Sequence, residues 1–283
     1  GGGAVRLSDC THVTIEGIVM RDPDVLCCSL FGCRNVTIVG LKLVGLWRYN
    51  ADGIDVCNSQ DVEVRDCFVR AFDDALVIKG LKFREHSFDD RPVRNVQFRR
   101  CVVWCDWGRA MKIGAETCAP EIADVVFEDC DIVRTTHIAM DIQHGDRAAI
   151  RNIRFEDIRV EIDEWNPRPR MQRNREEKYQ AGPQDRYCPI LLDIVIRKNN
   201  YSKDDRRGTV RDVVFKDIDV TGPHVPPSSF RGFDAEYGVE GVKIKNLRFN
   251  GKSAGNAQDA YLQIGPHVGH VQFSNSAPSQ GNR

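Results

Sequence analysis

A short phrase recurs along the whole chain, and this repetition constrains the fold more than any other feature of the sequence. The phrase alternates apolar with other residues, as in Asn35-Val36-Thr37-Ile38 and Asn152-Ile153-Arg154-Phe155. Its first apolar residue stands at positions 13, 36, 62, 96, 125, 153, 213, 242 and 271, so the spacing is 23 to 34 residues with one exception of 60. A period of this length is typical of a protein built from stacked repeats.

Each repeat contains a second stretch with apolar residues at alternate positions, such as Gly53-Ile54-Asp55-Val56 and Ala75-Leu76-Val77-Ile78. Short alternating stretches rich in Val, Ile and Phe indicate strands, and no sustained helical period occurs in the sequence. Several short strands per repeat predict an all-β, single-stranded right-handed parallel β-helix of the pectin-lyase-like kind. We expect about nine coils, stacked at about 4.8 Å. A leucine-rich repeat has a similar period, but its signature is missing, and a propeller needs longer repeats.

The repeat extends over residues 1–283, which predicts a single domain. The spacing of 60 residues indicates a loop insertion at about 163–189. A loop of that length is usually functional or disordered, and here it is expected either to wall the cleft or to be a solvated loop. The first coil has no obvious cap, so we expect a missing upstream segment or a partner chain to cover the N-terminal coil.

Composition excludes several classes of protein. The chain is 41% hydrophobic, which is ordinary for a globular protein, and 40 Lys and Arg balance 41 Asp and Glu. Nucleic-acid and membrane-surface proteins normally carry a basic excess, and no apolar run reaches the roughly 20 residues of a membrane span. We therefore expect no nucleic-acid and no membrane partner.

The sequence contains an odd number of cysteines, 11. Five of them keep a fixed distance from the repeated apolar residue, which predicts ladders of buried thiols that pack as small apolar side chains. These five are Cys10, Cys33, Cys67, Cys101 and Cys130. The state of the remaining six is left open. Because no Cys-x-x-Cys pair occurs, a structural zinc site is not expected.

Strand register brings acidic residues together. Aligning the second strands of two neighbouring coils puts Asp52 beside Asp74, with Asp73 adjacent. Carboxylates at this spacing repel, which favours one of them holding a proton at neutral pH. A protonated acid next to a carboxylate is what glycoside hydrolysis needs. A calcium site or turn-capping aspartates remain alternatives from the residues alone.

The same stretch carries a family resemblance. Asn50-Ala51-Asp52-Gly53-Ile54-Asp55, followed by Phe72-Asp73-Asp74-Ala75-Leu76-Val77-Ile78, resembles the polygalacturonase family of parallel β-helix glycoside hydrolases, family 28. The resemblance implies an inverting hydrolase that needs no cofactor or metal. By resemblance, Asp73 is the general acid, and Asp52 and Asp74 hold and deprotonate the water. We accordingly expect a carbohydrate substrate and a secreted or periplasmic location, although this chain carries no signal peptide.

The chain departs from the family pattern where the substrate would bind. Arg109 stands in place of a His and aligns with Asp74 on the next coil, where its charge would keep that aspartate ionised. The family's Arg-Ile-Lys, which holds a uronate carboxylate, aligns with Asp141-Ile142-Gln143. A neutral sugar is therefore expected there rather than plain homogalacturonan. The residues expected to contact substrate are Asn50, Asp55, Trp107, Arg109, Lys112, His137, Asp141 and Gln143.

Purely structural roles are alternatives for several of these residues. The charged residues that face outward in the second strands are also typical of a solvated face, with an ion pair between Lys112 and Asp141. Aromatic residues near the predicted site, such as Trp107, are also typical of packing under loops. Two other functions stay open. One is a pectate-lyase-like polysaccharide lyase, in which the aspartates hold Ca²⁺ and Arg109 or Lys112 abstracts the proton. The other is a non-catalytic carbohydrate-binding β-helix.

Overall fold

The computed structural model describes residues 2–83, 86–163 and 189–275, in which no helix occurs. Its strands are β1 (Val5–Ser8), β2 (Thr11–Glu16), β3 (Val19–Arg21), β4 (Cys28–Phe31), β5 (Arg34–Val39), β6 (Lys42–Val44), β7 (Ile54–Cys57), β8 (Gln60–Arg65), β9 (Phe68–Ala71), β10 (Leu76–Gly80), β11 (Val93–Arg99), β12 (Val102–Cys105), β13 (Arg109–Thr117), β14 (Glu121–Thr135), β15 (Ile138–His144), β16 (Ala149–Glu161), β17 (Ile190–Ile196), β18 (Thr209–Thr221), β19 (Ser228–Arg231), β20 (Val239–Phe249), β21 (Lys252–Ser253), β22 (Leu262–Ile264) and β23 (Val268–Ser274).

The strands wind into a right-handed parallel β-helix, as predicted. One nine-stranded sheet, here called the first sheet, has the order β1-β4-β7-β10-β13-β15-β17-β19-β22, one strand from each coil. The repeated phrase forms a second row of parallel strands, β2-β5-β8-β11-β14-β16-β18-β20-β23. A third row has the order β3-β6-β9-β12. It joins the second row at β14, which pairs with β11 of the second row and with β12 of the third. The prediction of about nine coils is therefore confirmed.

Two residues in most coils adopt a left-handed backbone, and they explain the composition of the repeat. The first precedes the repeated apolar residue, as Asn152 does with a φ of 53°, and the second follows that residue by four, as Asp157 does with a φ of 54°. Asn, Asp and Gly tolerate this conformation better than other residues do. We call these residues corner residues: they interrupt the extended backbone of the second row, as Asn152 and Asp157 do within β16.

The core between the sheets consists of side-chain ladders. The rings of Phe98, Phe127, Phe155 and Phe215 stack face to face with centroids 4.9 to 5.1 Å apart. The cysteine ladder is confirmed for four of its five predicted members, which are buried, whereas Cys10 is half-exposed. Cys130 pairs in register with Ile158, which shows that the thiol replaces an aliphatic side chain in the same row. The other described cysteines, Cys27, Cys28, Cys57, Cys105 and Cys118, are also free and buried.

The predicted insertion at about 163–189 falls almost entirely on residues 164–188, which lie outside the described residues. Within the part of the chain that is described, no helix is long and apolar enough to cross a membrane.

Candidate active site

The three aspartates meet where the chain enters two neighbouring strands of the first sheet. Because Ile54 of β7 pairs with Leu76 of β10, the residues that precede these strands also lie side by side. One carboxylate oxygen each of Asp52, Asp73 and Asp74 lies within 4.8 Å of the others. All three side chains are buried, with residue exposures of 3%, 8% and 4%. The structure therefore brings together the carboxylates that register had predicted to be neighbours.

Two buried lysines bind two of the three aspartates. Lys79, at the end of β10, places its Nζ 2.8 Å from Asp52 Oδ2 and 3.0 Å from Asp55 Oδ1. Lys112, in β13, places its Nζ 2.6 Å from Asp74 Oδ2. No salt bridge to Asp73 is formed by any described residue. Asp52 and Asp74 thus each have an ammonium group beside them, whereas Asp73 has no ion-pair partner among the described residues.

Arg109 also contacts Asp74, as its alignment had predicted. Its backbone N–H donates to Asp74 Oδ1 at 3.0 Å, and its Nη1 lies 3.9 Å from the same oxygen. Its Nε lies 3.4 Å from Asp141 Oδ2. The guanidinium therefore joins the acidic cluster to the next coil of the first sheet.

The surroundings separate the pKa values of the three carboxyls. Burial, together with the charges of Asp74 and Asp52, raises the pKa of Asp73 well above its usual value. Burial acts the same way on Asp74, but Lys112, Arg109 and Lys79 outweigh it and lower the pKa of that carboxyl to about 2. Burial raises the pKa of Asp52, and Lys79 opposes that rise. The surroundings therefore favour the protonated form of Asp73 and the charged form of Asp74.

A cavity of about 790 Å³ opens over this cluster. Its rim is aromatic: Trp107 stacks on Phe72 with centroids 5.9 Å apart and meets the edge of Tyr49 at 5.9 Å. Tyr201 and Phe83 also line the cavity and are about half exposed. Rings around a polar floor suit a sugar, which presents apolar C–H faces and polar hydroxyl edges.

The predicted substrate-binding residues divide between two cavities. Those that line the large cavity are Asn50, Trp107, Arg109, Lys112 and Gln143. His137 and Asp141 line a second cavity of about 300 Å³, which shares Arg109, Gln143 and Arg197 with the first. Asp55 is fully buried, lines neither cavity and binds Lys79. At Asp55 and Asp141 this face of the sheet is buried rather than solvated, since both residues are at most 1% exposed.

Some residues around the cavity were not among those predicted. Lys79 directly follows the recognised motif, and its strand parity, shared with Val77, puts it on the same outward face as Asp55. The run Arg197–Tyr201 lines the cavity directly after β17, because the carboxyl ends of parallel strands lie along one edge of a sheet. Glu116, near the end of β13, also lines it.

Two groups of side chains have the spacing of metal ligands in the part of the structure that is described. One is the aspartate triad, and the other is Cys118, Asp146 and Asp204. In the triad, the lysine ammonium groups already neutralise Asp52 and Asp74. In the second group, Asp146 accepts hydrogen bonds from the backbone N–H groups of Thr117, Lys203 and Asp204, which fasten a loop to the first sheet.

Solved structures of polygalacturonases have the same fold as this chain. The solved structure of a hyperthermoactive exopolygalacturonase from Thermotoga maritima is 16% identical and superposes with a TM-score of 0.59 over 95% of this chain and 54% of that one. The polygalacturonase from Erwinia carotovora ssp. carotovora is 18% identical, with a TM-score of 0.57 over 92% and 57% of the two chains. At these identities the likeness shows the fold alone.

Sequence comparison identifies the family as well as the fold. The chain is 22% identical over 158 residues to a probable rhamnogalacturonase A from Aspergillus oryzae, which is 56% of this chain and 31% of that protein. The chain thus spans less than two thirds of the length of these relatives. The family model described as glycosyl hydrolases family 28 matches residues 3–167, which include the whole aspartate triad. Because this match covers more than half of the chain, the protein belongs to glycosyl hydrolase family 28.

Proposed function

We propose that this chain hydrolyses a glycosidic bond of a pectin-type polysaccharide, with Asp73 as general acid and Asp74, assisted by Asp52, as general base. The observation that carries the proposal is the distribution of cations: Lys79 and Lys112 bind Asp52 and Asp74, and no described residue forms a salt bridge to Asp73. A protonated carboxyl beside ionised ones is the arrangement that acid–base hydrolysis of a glycoside requires.

In this mechanism the proton on Asp73 passes to the glycosidic oxygen as the bond to the anomeric carbon breaks. A water held between Asp74 and Asp52 attacks that carbon and gives its proton to one of the two carboxylates. Lys112 favours the charged form of Asp74, and Lys79 opposes the effect of burial on Asp52. Solvent then returns a proton to Asp73 and removes one from the base, which restores the site.

Inversion at the anomeric carbon is part of the proposal and rests on the family resemblance. The carboxylate oxygens approach one another within 4.8 Å. Acid and base are about 6.5–9.5 Å apart in most inverting enzymes and about 5–5.5 Å in retaining ones. The distance alone does not favour inversion here, so the stereochemistry must be measured. The anomer released first, observed by proton NMR, decides it: the inverted anomer supports a single displacement, and the retained anomer contradicts it.

For the substrate, we propose a pectic polymer other than plain homogalacturonan. Asp141 and Gln143 occupy the positions where the resembled family has a cationic pair, and Asp141 is buried beside the aspartate cluster. A related protein is described as a probable rhamnogalacturonase. The backbone of rhamnogalacturonan, in which neutral and acidic sugars alternate, is therefore the first polymer to test.

Asp73→Asn tests the central role. We expect kcat to fall about 10²–10⁴-fold, because the amide cannot protonate the leaving oxygen, while oligosaccharide binding persists. Release of reducing ends from rhamnogalacturonan measures the rate, and titration calorimetry measures binding. Asp212→Asn is the matched control, since Asp212 is an exposed corner residue of β18 outside both cavities.

Other outcomes identify the other functions. A product that absorbs in the ultraviolet, together with loss of activity on adding a chelator, indicates a lyase. Binding without turnover on any pectic polymer indicates a carbohydrate-binding module. Wild-type rates in Asp73→Asn would contradict the proposed acid.

A further inference from the structure

The second cavity lies beside the aspartate triad, toward the C-terminal coils. Outward-facing residues of β13, β15, β17 and β19 line it, and its volume is about 300 Å³. Arg109, Gln143 and Arg197 line both cavities, so the two are adjacent along the first sheet. This is enough space for about one sugar unit next to the one over the triad.

Two arginines on successive coils point into this second cavity. Arg231 of β19 pairs with Val195 of β17, and Arg197 follows Val195 by two residues, so both side chains share the outward parity. Both residues are exposed. Neither guanidinium forms an ion pair with any described carboxylate, in contrast to Arg109, which contacts Asp74 and Asp141. Each guanidinium offers a fork of N–H donors that fits a carboxylate ligand.

The floor of the cavity contains a buried acid without a hydrogen-bond partner. Asp141 is 1% exposed, and neither of its carboxylate oxygens has a hydrogen-bond partner. Burial raises its pKa to about 6, against the opposing charges of Arg109 and Lys112. A buried polar group without a partner costs free energy, and a hydroxyl of a bound sugar would satisfy it. Asp193 also lines the cavity.

We infer that the second cavity binds a hexuronic acid unit of the substrate, with its carboxylate on Arg197 and Arg231 and a hydroxyl group on Asp141. The inference deepens the proposed function and rests on it. It places the recognition of negative charge one coil (Arg197) and two coils (Arg231) beyond the position of Asp141 and Gln143, and it leaves the sugar over the triad neutral. A polymer with alternating neutral and acidic units fits two adjacent cavities of this kind.

The test compares two ligands that differ only in charge. Rhamnogalacturonan oligosaccharides are titrated into the full chain carrying Asp73→Asn, alongside the same oligosaccharides with their carboxyl groups reduced to alcohols. We expect the native form to bind more tightly. In the same background, Arg197→Gln with Arg231→Gln should weaken binding of the native form by about tenfold or more and leave the reduced form unchanged. Arg211 is an exposed arginine of β18 outside this cavity, so Arg211→Gln should leave the binding of both oligosaccharides unchanged.

Equal binding of the two ligands, equal weakening of both by the double variant, or no binding of either would overturn the inference. The proposed function fails separately, if the wild-type chain releases no reducing ends while charge-dependent binding persists. Thermal unfolding of the double variant should match the parent chain, because both side chains are exposed.

Discussion

The smallest scale at which the chain controls its chemistry is the contact of one ammonium group with one carboxylate. Asp73 and Asp74 are adjacent in sequence and almost equally buried. Lys112 reaches only Asp74, with its Nζ at 2.6 Å, and this contact separates the pKa values of two otherwise similar side chains. Neighbouring carboxylates with such different surroundings can act as acid and base at one pH.

The pH profile of Lys112→Met tests this division. The ammonium group of Lys112 lowers the pKa of Asp74. Without that group Asp74 binds a proton at higher pH, so the acid limb of the kcat/KM profile should move to higher pH. The alkaline limb, which reports loss of the proton from Asp73, should move upward less, because Lys112 also lowers the pKa of Asp73 but is a smaller influence there than burial and the neighbouring aspartates. Lys112→Arg keeps the charge and should keep the wild-type limbs. An unmoved acid limb in Lys112→Met would argue against Asp74 as the base.

At the scale of the element, each coil depends on corner residues with a left-handed backbone. The first corner residue of a coil lies inside a second-row strand, and it recurs at the same place in successive coils, as at Asn95, Asp124, Asn152 and Asp212. The side chains also bond between coils: Asn95 Nδ2 donates to Asp61 Oδ1 at 2.9 Å. The polar residue of the repeated phrase therefore has a conformational role as well as a polar one.

Asp212 offers a clean measurement of that role, because its φ is 55° and its side chain is exposed. Asp212→Val should lower the free energy of unfolding by about 1–2 kcal/mol, since a β-branched residue is strained in this conformation. Asp212→Gly should stay within about 0.5 kcal/mol of the wild type, because glycine adopts positive φ freely. Urea unfolding measures both variants, and equal destabilisation by Val and Gly would show that the side chain, rather than the backbone, matters here.

On the scale of the whole molecule, stacking of like side chains replaces covalent cross-links. All ten described cysteines are free, and nine of them are buried. Burial raises the pKa of thiols such as Cys57 and Cys105 well above their usual value, which suppresses the reactive thiolate. The coils are therefore held by core packing and strand pairing in this part of the chain.

Thiol labelling of the intact protein checks this arrangement. A variant with Cys10→Ser and Cys188→Ser removes the half-exposed thiol and the one outside the described residues. We expect its nine remaining thiols to react with a thiol reagent only on unfolding, and we expect dithiothreitol to leave its Tm unchanged. A Tm that falls on reduction, or fewer than nine thiols after unfolding without reductant, would indicate disulfides.

The coil, the strand register and the meeting of Asp52 with Asp73 and Asp74 could all be predicted from the sequence. The physical reason is that parallel strands repeat one local rule: alternate side chains point outward, and equivalent residues of successive coils lie side by side. The same rule aligned Arg109 with Asp74. A single chain with a clear period therefore predicts which backbones are neighbours.

Which charged side chains are in contact could not be predicted in this way. Lys79 on Asp52, Lys112 on Asp74 rather than on Asp141, and the approach of Arg197–Tyr201 to the cavity all depend on where long side chains end and how the turns cover them. Turns differ in length from coil to coil and follow no period, so register cannot place them. The division between acid and base depends on burial and on contacts of a few ångströms, which the fold creates by bringing distant coils together.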